Sequence, residues 1–255
     1  MKWILILLLG LGVTPLAAGN LWLLATGDTL DPILGRSALR DLASMEDFFS
    51  LAAQKTGLEL QTRILKDSEA SWTQWDKTLQ SFNFSPGDVL VVYFSLDGRK
   101  NASTAWTDIL MGKVGRNLYG LAEELKKKQP RLLLVIAETP QREEPQVKPR
   151  SSLIPLRSEE NNLGWKNLFL KSKGNLILAA AESGEEALAF SEGGVLTVTF
   201  VETITRNILK KLPVTWGDIL QEVQTLVKED THGRQNPMKI SDIRMPPPGM
   251  VGPSP

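Results

Sequence analysis

The sequence contains no cysteine and a single histidine, His232, among its 255 residues. Without cysteine the chain has no disulfide bond, no thiolate nucleophile and no thiolate metal ligand. One histidine excludes metal centres built from several imidazoles, and it leaves His232 as the one imidazole available for base catalysis. We interpret His232 as an exposed loop residue, so the sequence predicts neither a histidine-based metal site nor cysteine chemistry.

The charge is balanced, because 29 basic residues stand against 29 acidic ones. An excess of positive charge, which nucleic acids and anionic membranes attract, is therefore missing. We expect no nucleic-acid partner, no bound metal and no cofactor. A protein or peptide is the partner class that remains, and the sequence does not indicate an oligomeric state.

The first 18 residues have the pattern of a signal peptide. Lys2 provides the positive start, residues 3–11 form an apolar core, and small residues precede a cleavage site near Ala18. The apolar core is shorter than the roughly 20 residues of a membrane-spanning helix. An uncleaved N-terminal anchor is the alternative. In both cases we expect the body of the protein, one domain over residues 19–245, to be secreted or periplasmic.

The central feature of that domain is residues 89–94, an uninterrupted apolar run after the turn residues Pro86 and Gly87. Such a run is typical of a strand that is buried on both faces of a parallel sheet. Active sites of open α/β sheets lie beyond the carboxyl ends of these strands. Ser95 and Asp97, which follow directly, are therefore candidate site residues.

Further strands and helices alternate along the chain. Apolar runs or alternation predict strands at residues 21–25, 58–65, 132–137, 176–181 and 238–243, the last at an edge. Helical spacing predicts helices at residues 37–56 with Ser37 as N-cap and Gly57 as stop, at 72–82, at 116–128, and from Thr215 to 227. Residues 102–120 stay unassigned, 195–208 fit a strand or a helix, 140–155 indicate a long loop, and 246–255 a disordered proline-rich tail. The order predicts an α/β fold with a mostly parallel sheet.

Five segments resemble the caspase and metacaspase family in the same order. They are residues 88–98, similar to the strand that ends in Tyr-Ser-Gly-His-Gly; 132–141, similar to the next strand, which runs into Asp-x-Cys; 179–187, with an alanine-serine run and Glu-x-Ala; 193–197, similar to Gly-Gly-x-Phe-Thr; and 233–237, similar to Gln-x-Pro. The resemblance covers roughly residues 21–238. It implies a caspase-like three-layer sandwich, with a sheet of about six strands and helices on both faces, and it implies that residues 195–208 form a helix.

The resemblance also shows which catalytic groups this chain lacks. The histidine position of the family corresponds to Asp97, and the cysteine position falls on Glu138 or Pro140. Neither can attack a carbonyl as a thiolate does. Thr139 is a hydroxyl nucleophile only if a base lies beside it. We therefore expect a pseudoenzyme without peptidase activity, which binds protein or peptide or has a regulatory role.

An alternative from another class is a hydrolase. Asp97 and Glu138 follow neighbouring strands, so they could face each other as a carboxylate pair that divides acid and base roles, or bind a hard cation such as Ca²⁺. Asp28 and Asp31, after the first strand, border the same edge. A third hypothesis is a structural module whose proline-rich tail docks a partner.

The candidate ligand-binding edge therefore consists of residues that follow the predicted strands. They are Asp28, Asp31, Ser95, Asp97, Glu138, Thr139, Glu182 and Ser183. Ordinary solvated loop chemistry is the competing interpretation for each of them. Asn101 begins a glycosylation sequon, which has meaning only in a eukaryotic secretory pathway.

Overall fold

A computed structural model describes residues 19–139, 141–143, 162–190, 192–209 and 214–245. The predicted signal peptide, most of the predicted loop at 140–155 and the proline-rich tail lie outside the described residues. Pro140, one of the two positions proposed for the family's cysteine, lies outside them as well. The signal peptide, most of the loop and the disordered tail therefore remain predictions from the sequence.

Twelve strands and six α-helices make up the described chain. The strands are β1 (Asn20–Gly27), β2 (Glu59–Lys66), β3 (Val89–Ser95), β4 (Gly98–Arg99), β5 (Asp108–Met111), β6 (Val114–Asn117), β7 (Leu132–Glu138), β8 (Gln141–Glu143), β9 (Gly174–Ala179), β10 (Ala187–Phe190), β11 (Gly193–Gly194) and β12 (Met238–Ser241). The helices are α1 (Gly35–Thr56), α2 (Trp72–Ser81), α3 (Leu118–Lys126), α4 (Asn162–Lys166), α5 (Val195–Leu209) and α6 (Trp216–Asp230). A 3₁₀ turn (Asp67–Glu69) follows β2, and a π-helical turn (Asn167–Lys171) follows α4.

Six strands form the central sheet in the order β12-β9-β7-β3-β1-β2. The pairs among β2, β1, β3, β7 and β9 are parallel, and β12 is antiparallel at one edge. Ser95 lies opposite Gly27 on one side and Glu138 on the other, so the carboxyl ends of β1, β3 and β7 are level. The predicted mostly parallel α/β sheet of six strands is confirmed.

Helices cover both faces of the sheet, and an apolar core lies between the sheet and the helices on each face. Side chains of α1, α5 and α6 pack with one face of β1, β3, β7 and β9, and side chains of α2 and α3 pack with the other. Every residue of β3 and of β7 is buried, as expected for central strands covered on both sides. Trp72 and Trp75 of α2 lie in the second core, so their helical spacing indicated packing. The architecture is a three-layer α/β/α sandwich.

The start of α1 differs from the prediction. Ser37 was expected to cap the helix, but the helix begins at Gly35, and Ser37 is buried in its first turn. Asp31 accepts hydrogen bonds from the backbone N–H groups of Ile33 and Leu34 at 2.8 and 2.7 Å, and these contacts tighten the loop before the helix. The predicted stop is correct, since Gly57 ends the helix with a φ of 78°.

The segment Val195–Leu209 is a helix, as the resemblance to the caspase family implied, although its valines and threonines have strand propensity. Phe200, Ile204 and Ile208 recur at helical spacing and lie in the first core, so packing decides the conformation. Thr215 caps α6, as predicted, because its side chain accepts a hydrogen bond from the N–H of Asp218.

Two small sheets and the helix α4 (Asn162–Lys166) were not predicted. In the sheet β4-β5-β6, the strands β5 and β6 lie within residues 102–120, which stayed unassigned, and β4 precedes them. The sheet β11-β10-β8 includes residues 141–143 of the predicted long loop. That part of the loop prediction is wrong, because β8 pairs with β10 in parallel. The predicted edge strand near the C-terminus is confirmed as β12. No helix in the described part of the chain is both long and apolar enough to cross a membrane.

Candidate functional site

The strand order reverses between β1 and β3, because the chain passes from β1 to β2 on one side and then to β3 on the other. Open α/β sheets bind ligands in the crevice beyond the strand ends at such a point. A cavity of about 260 Å³ opens there. Its lining residues are Asp28, Asp31, Leu34, Ala38, Asp67, Ala70, Ser95, Leu96, Asp97, Leu110, Met111 and Gly112.

Four aspartates contribute to this lining, and we refer to the cavity as the acidic pocket. They come from the loop after β1 (Asp28 and Asp31), from the turn after β2 (Asp67) and from the loop after β3 (Asp97). Parallel strands bring the ends of separate segments to one edge of a sheet, and this explains why residues distant in sequence meet here.

Backbone hydrogen bonds fix the acidic loops. Asp28 accepts from the N–H of Leu30 at 3.1 Å, and Asp67 accepts from both the N–H and the hydroxyl of Thr29 at 2.7 and 2.9 Å. Asp67 adopts a positive φ of 55°, an uncommon conformation for a residue with a side chain. The loop after β1 is therefore tied to the turn after β2, and together they form one wall of the pocket.

Asp97 has the perturbed carboxyl group of the pocket. Burial raises the pKa of Asp97, and the charges of Asp31 and Asp28 raise it further. Among the described residues that line the pocket none is basic, so its electrostatic potential favours a cation. The loop after β1, which provides Asp28 and Asp31, also exposes apolar side chains, because Leu30 and Ile33 are exposed by 77% and 64%.

A second group of polar side chains lies behind the pocket, inside the first core. We refer to Asp41, Tyr93, Ser95, Glu138 and Thr197 as the buried carboxyl cluster. All five are fully or almost fully buried. Ser95 belongs to both groups, because it lines the pocket and its hydroxyl donates to the carboxylate of Asp41 at 2.9 Å.

The cluster connects three elements around Glu138. Oε2 of Glu138 accepts hydrogen bonds from the N–H of Thr197 at 2.7 Å and from its hydroxyl at 2.9 Å. The Tyr93 hydroxyl is 2.6 Å from the Thr197 hydroxyl. Burial, followed by the charge of Asp41, raises the pKa of Glu138 well above its ordinary value, and the hydrogen bonds from Thr197 offset part of this shift. Burial also raises the pKa of Tyr93, and Asp41 and Glu138 add to that rise.

The residues predicted for the ligand-binding edge divide into three places. Asp28, Asp31, Ser95 and Asp97 line the acidic pocket, as expected. Glu138 and Thr139 are fully buried and do not line it. Glu182 and Ser183 follow β9, where Ser183 accepts a hydrogen bond from the N–H of Asn101 at 3.2 Å.

The proposed pairing of Asp97 with Glu138 is wrong. Glu138 ends its strand with its side chain on the face covered by α1 and α5, where Asp41 is its charged neighbour. Asp97 lies beyond the end of β3, and the carboxylates that act on it are Asp31 and Asp28. Neighbouring strand ends therefore hold two separate acidic groups. Among the described residues, no three histidine or acidic side chains are arranged to hold a metal ion.

Sequence reasoning did not identify Asp41, Asp67 or Thr197. One signal was available for Asp41, because this aspartate lies within the apolar stripe of α1, between Ala38 and Met45 at helical spacing. A charged residue on the buried face of an amphipathic helix indicates a polar partner in the core. No comparable signal distinguishes Asp67, whose role depends on the loop geometry.

Two further predictions have a structural outcome. His232 is exposed in the loop after α6, as expected, so it does not contribute to either acidic group. The amide of Asn101 donates to Asp108 at 2.6 Å, which means that a hydrogen bond holds the nitrogen of the sequon in the folded chain.

Comparison with known proteins adds a fold relationship. No protein-family model and no curated protein sequence matches the chain. A crystal structure of protein GSU0716 from Geobacter sulfurreducens is similar, with a TM-score of 0.53 and 12% sequence identity over 87% of this chain and 93% of that chain. At this identity the likeness concerns the fold alone. The chain therefore shares its three-layer α/β architecture with GSU0716 over nearly the whole length of both proteins.

Proposed function

We propose that this protein is an exported caspase-like pseudoenzyme that binds a basic segment of a protein or peptide without cleaving it. The observation that carries the proposal is the acidic pocket, which opens at the point in the sheet where α/β proteins bind ligands. Export rests on the signal-peptide pattern of the first 18 residues. The caspase resemblance rests on the five motifs and agrees with the six-stranded sandwich.

The loss of chemistry follows from the residues at the family's catalytic positions. The chain has no cysteine, and Asp97 occupies the histidine position. Thr139, the remaining hydroxyl beside the cysteine position, is fully buried, and its oxygen has no hydrogen-bond partner within the described structure. A hydroxyl becomes a nucleophile when a base accepts its proton. Among the described residues no base accepts the proton of Thr139, and this supports the proposal of binding without covalent catalysis.

The size and charge of the pocket favour a single cationic side chain. At about 260 Å³ the cavity is smaller than the ~300–1,000 Å³ that small-molecule sites occupy. Its four carboxylates would pair with a guanidinium group, which offers several donors in a plane. The exposed Leu30 and Ile33, in the loop that provides Asp28 and Asp31, would contact an apolar residue next to the basic one. An arginine flanked by apolar residues is therefore the ligand we expect.

Fluorescence anisotropy with a labelled peptide tests this proposal. The peptide contains one arginine between leucines, and its matched control replaces arginine by citrulline, which keeps the shape and removes the charge. We expect the citrulline peptide to bind at least about tenfold more weakly, a difference of ~1.4 kcal/mol. Asp97→Asn should weaken binding of the arginine peptide, whereas Glu59→Gln on the distant strand β2 should not.

Two results would overturn the proposal. Equal affinity for both peptides would show that the pocket does not select for charge. Cleavage of the arginine peptide, detected by mass spectrometry, would contradict the pseudoenzyme assignment. The alternative hydrolase that relies on Asp97 and Glu138 has no observation in its favour, because the two carboxyl groups do not share a pocket.

A further inference from the structure

The strand β2 is the last strand of the central sheet on the side opposite β12, and among the described residues it pairs with β1 alone. The N–H of Glu59 donates to the carbonyl just before β1 at 3.2 Å. In a parallel pair every second residue bonds to the neighbouring strand, so the alternate residues Leu60, Thr62 and Ile64 direct their N–H and C=O groups outwards. The outer side of β2 therefore presents a row of backbone donors and acceptors that no described strand pairs.

The backbone on this outer side is open to a further strand. The carbonyl of Thr62 accepts a hydrogen bond from the guanidinium of the next residue, Arg63, at 2.8 Å, so a side chain occupies the place of a strand partner. The strand is eight residues long and contains no proline, the residue that would prevent pairing on this side. The length and composition of β2 therefore permit another strand to join the sheet.

The charges of β2 indicate which strand this would be. Charged side chains commonly protect an outer strand, because like charges can meet when two copies pair. The exposed side chains of Glu59 and Arg63 have opposite charges and lie at equal distances on either side of Gln61. An antiparallel pair around a two-fold axis joins residues at equal distances from the axis, so Glu59 of each copy would face Arg63 of the other.

A two-fold axis at Gln61 also suits the remaining residues. It places Leu60 of one copy opposite Thr62 of the other, where their outward backbone groups can bond. The two Gln61 side chains face each other, and their amides can both donate and accept. An axis at Arg63 would bring two guanidinium groups together, and an axis at Thr62 would no longer place Glu59 opposite Arg63. The charges therefore select the register around Gln61.

We propose that two copies of this protein associate through β2, in an antiparallel pair around Gln61 that extends the central sheet from one copy into the other. A single strand pair is a small contact, at the low end of the sizes of specific interfaces, so the dimer is weak and reversible. It does not depend on the proposed peptide binding. At about 1 µM, a concentration that suits fluorescence, the protein is monomeric, and stability and peptide affinity are measured there on single copies.

Sedimentation velocity between about 5 and about 500 µM tests the dimer, because its fraction must rise with concentration. Glu59→Lys and Arg63→Glu each place like charges opposite one another at two symmetric positions, so either variant should raise the dissociation constant at least about fivefold. An equimolar mixture of the two variants should dimerise as the wild type does, because each introduced charge then faces an opposite one. Lys127→Glu, at an exposed position after α3, makes the same change of charge as Arg63→Glu and should leave association unchanged.

A single introduced cysteine tests the register, because the chain has no cysteine of its own. Gln61→Cys places two thiols on directly opposite residues, whose Cα atoms lie within the ~4.4–6.8 Å that a disulfide spans. Under mild oxidation this variant should form a covalent dimer on a non-reducing gel. Thr62→Cys is the control, because residues at position 62 of the two copies would be diagonal neighbours about 8 Å apart, and its yield should be at least about fivefold lower.

Three results would overturn the proposal. A monomer at every concentration would leave the outer side of β2 to a strand of another protein. A dimer whose dissociation constant is the same in Glu59→Lys, Arg63→Glu and the wild type would use a different surface. Equal yields of covalent dimer from Gln61→Cys and Thr62→Cys would show that the copies meet by random collision and not in the stated register.

Discussion

A completely buried carboxyl group lies at each end of the parallel strands, Asp88 at their amino ends and Glu138 at their carboxyl ends. The surroundings of the two groups are opposite in character. Each of these two sides of the sheet is called an edge. At the edge where the parallel strands begin, Asp88 accepts hydrogen bonds from the backbone of Asn20, the indole of Trp22 and the backbone of Ser85, at 2.7–2.9 Å. The guanidinium of Arg131 lies close enough for Asp88 to act on its pKa. Where the strands end, Glu138 accepts hydrogen bonds from the backbone N–H and the hydroxyl of Thr197, and the acidic Asp41 is close enough to raise its pKa.

This difference separates two roles within one sheet. Donors and a cation around Asp88 satisfy its charge, so this residue ties the first strand to the loop before β3. At the carboxyl ends of the strands, acidic side chains gather in two places, the buried carboxyl cluster and the acidic pocket, and the raised pKa values of Glu138 and Asp97 indicate that folding disfavours their ionised forms. Unfavourable local electrostatics of this kind are common at functional sites. We infer that one edge stabilises the fold and that the other keeps charge available for a ligand.

The largest effect should follow from Asp88→Ala. The substitution removes the acceptor for N–H groups of Asn20, Trp22 and Ser85, and it leaves a gap the size of a carboxylate group at the edge of the core. We expect a loss of about 3 kcal/mol in the free energy of unfolding, because donors that lose their partner within a partly buried site incur a desolvation cost. Urea denaturation followed by tryptophan fluorescence measures it.

Asp88→Asn provides the control, since its amide oxygen still accepts at one position. Its loss should be clearly smaller than that of Asp88→Ala. A loss below about 0.5 kcal/mol for Asp88→Ala would be the range of an ordinary surface substitution, and it would contradict the stabilising role of this edge.

The next largest effect should come from Gly194→Ala at the strand-end edge. The added methyl group meets the carboxyl group of Glu138 inside a packed core, and neither the turn nor the side chain has space to yield. Overpacking of this kind destabilises by about 2 kcal/mol. The free energy of unfolding from urea titration is again the measurement.

Gly87→Ala is the matched substitution at the opposite edge. A Cβ atom at Gly87 meets nothing within 4 Å, and the residue does not have a positive φ. We therefore expect a change within about 0.5 kcal/mol. Equal losses at the two glycines would mean that the carboxyl group of Glu138 does not fill the space beside Gly194.

The sequence predicted the sheet well because its central strands carry a strong local signal. The apolar runs at residues 89–94 and 132–137 indicated two fully buried strands, and the structure has them as β3 (Val89–Ser95) and β7 (Leu132–Glu138). The short strands β4, β5 and β6 were missed, because runs of two to four residues with a mixed burial pattern have no usable periodicity. Ser37 was mistaken for a helix cap, since the carboxylate that fixes this turn belongs to Asp31.

The candidate site was predicted in part. Residues after β1 and β3 were expected at one edge because parallel strands align their ends, and Asp28, Asp31 and Asp97 do line one pocket. The partner of Glu138 could not be predicted from strand order, because the face on which a side chain lies at a strand end depends on the register. That register directs Glu138 towards α1 and Asp41, away from Asp97.

The smallest of the predicted effects comes from Asp97→Asn, which tests whether the carboxylates of the acidic pocket repel one another. Because burial and the charges of Asp31 and Asp28 raise the pKa of Asp97, its ionised form opposes folding, and stability is lost as pH rises through that pKa. Asp97→Asn should therefore stabilise the protein near pH 7. The gain is only about 0.3 kcal/mol, since the site is partly open and solvent screens the charges. A urea titration should show that the gain shrinks in about 0.5 M salt.

Glu59→Gln, at the amino end of β2, should leave the free energy of unfolding unchanged, because the carboxylate of Glu59 is exposed to solvent and accepts a hydrogen bond from the neutral amide of Gln61. Destabilisation by Asp97→Asn near pH 7 would contradict the assignment of repulsion to the pocket. The same Asp97→Asn variant is expected to lose affinity for the arginine peptide while the fold becomes more stable. If the pocket binds a ligand at the expense of stability, the same substitution should raise the free energy of unfolding and lower the affinity for the peptide.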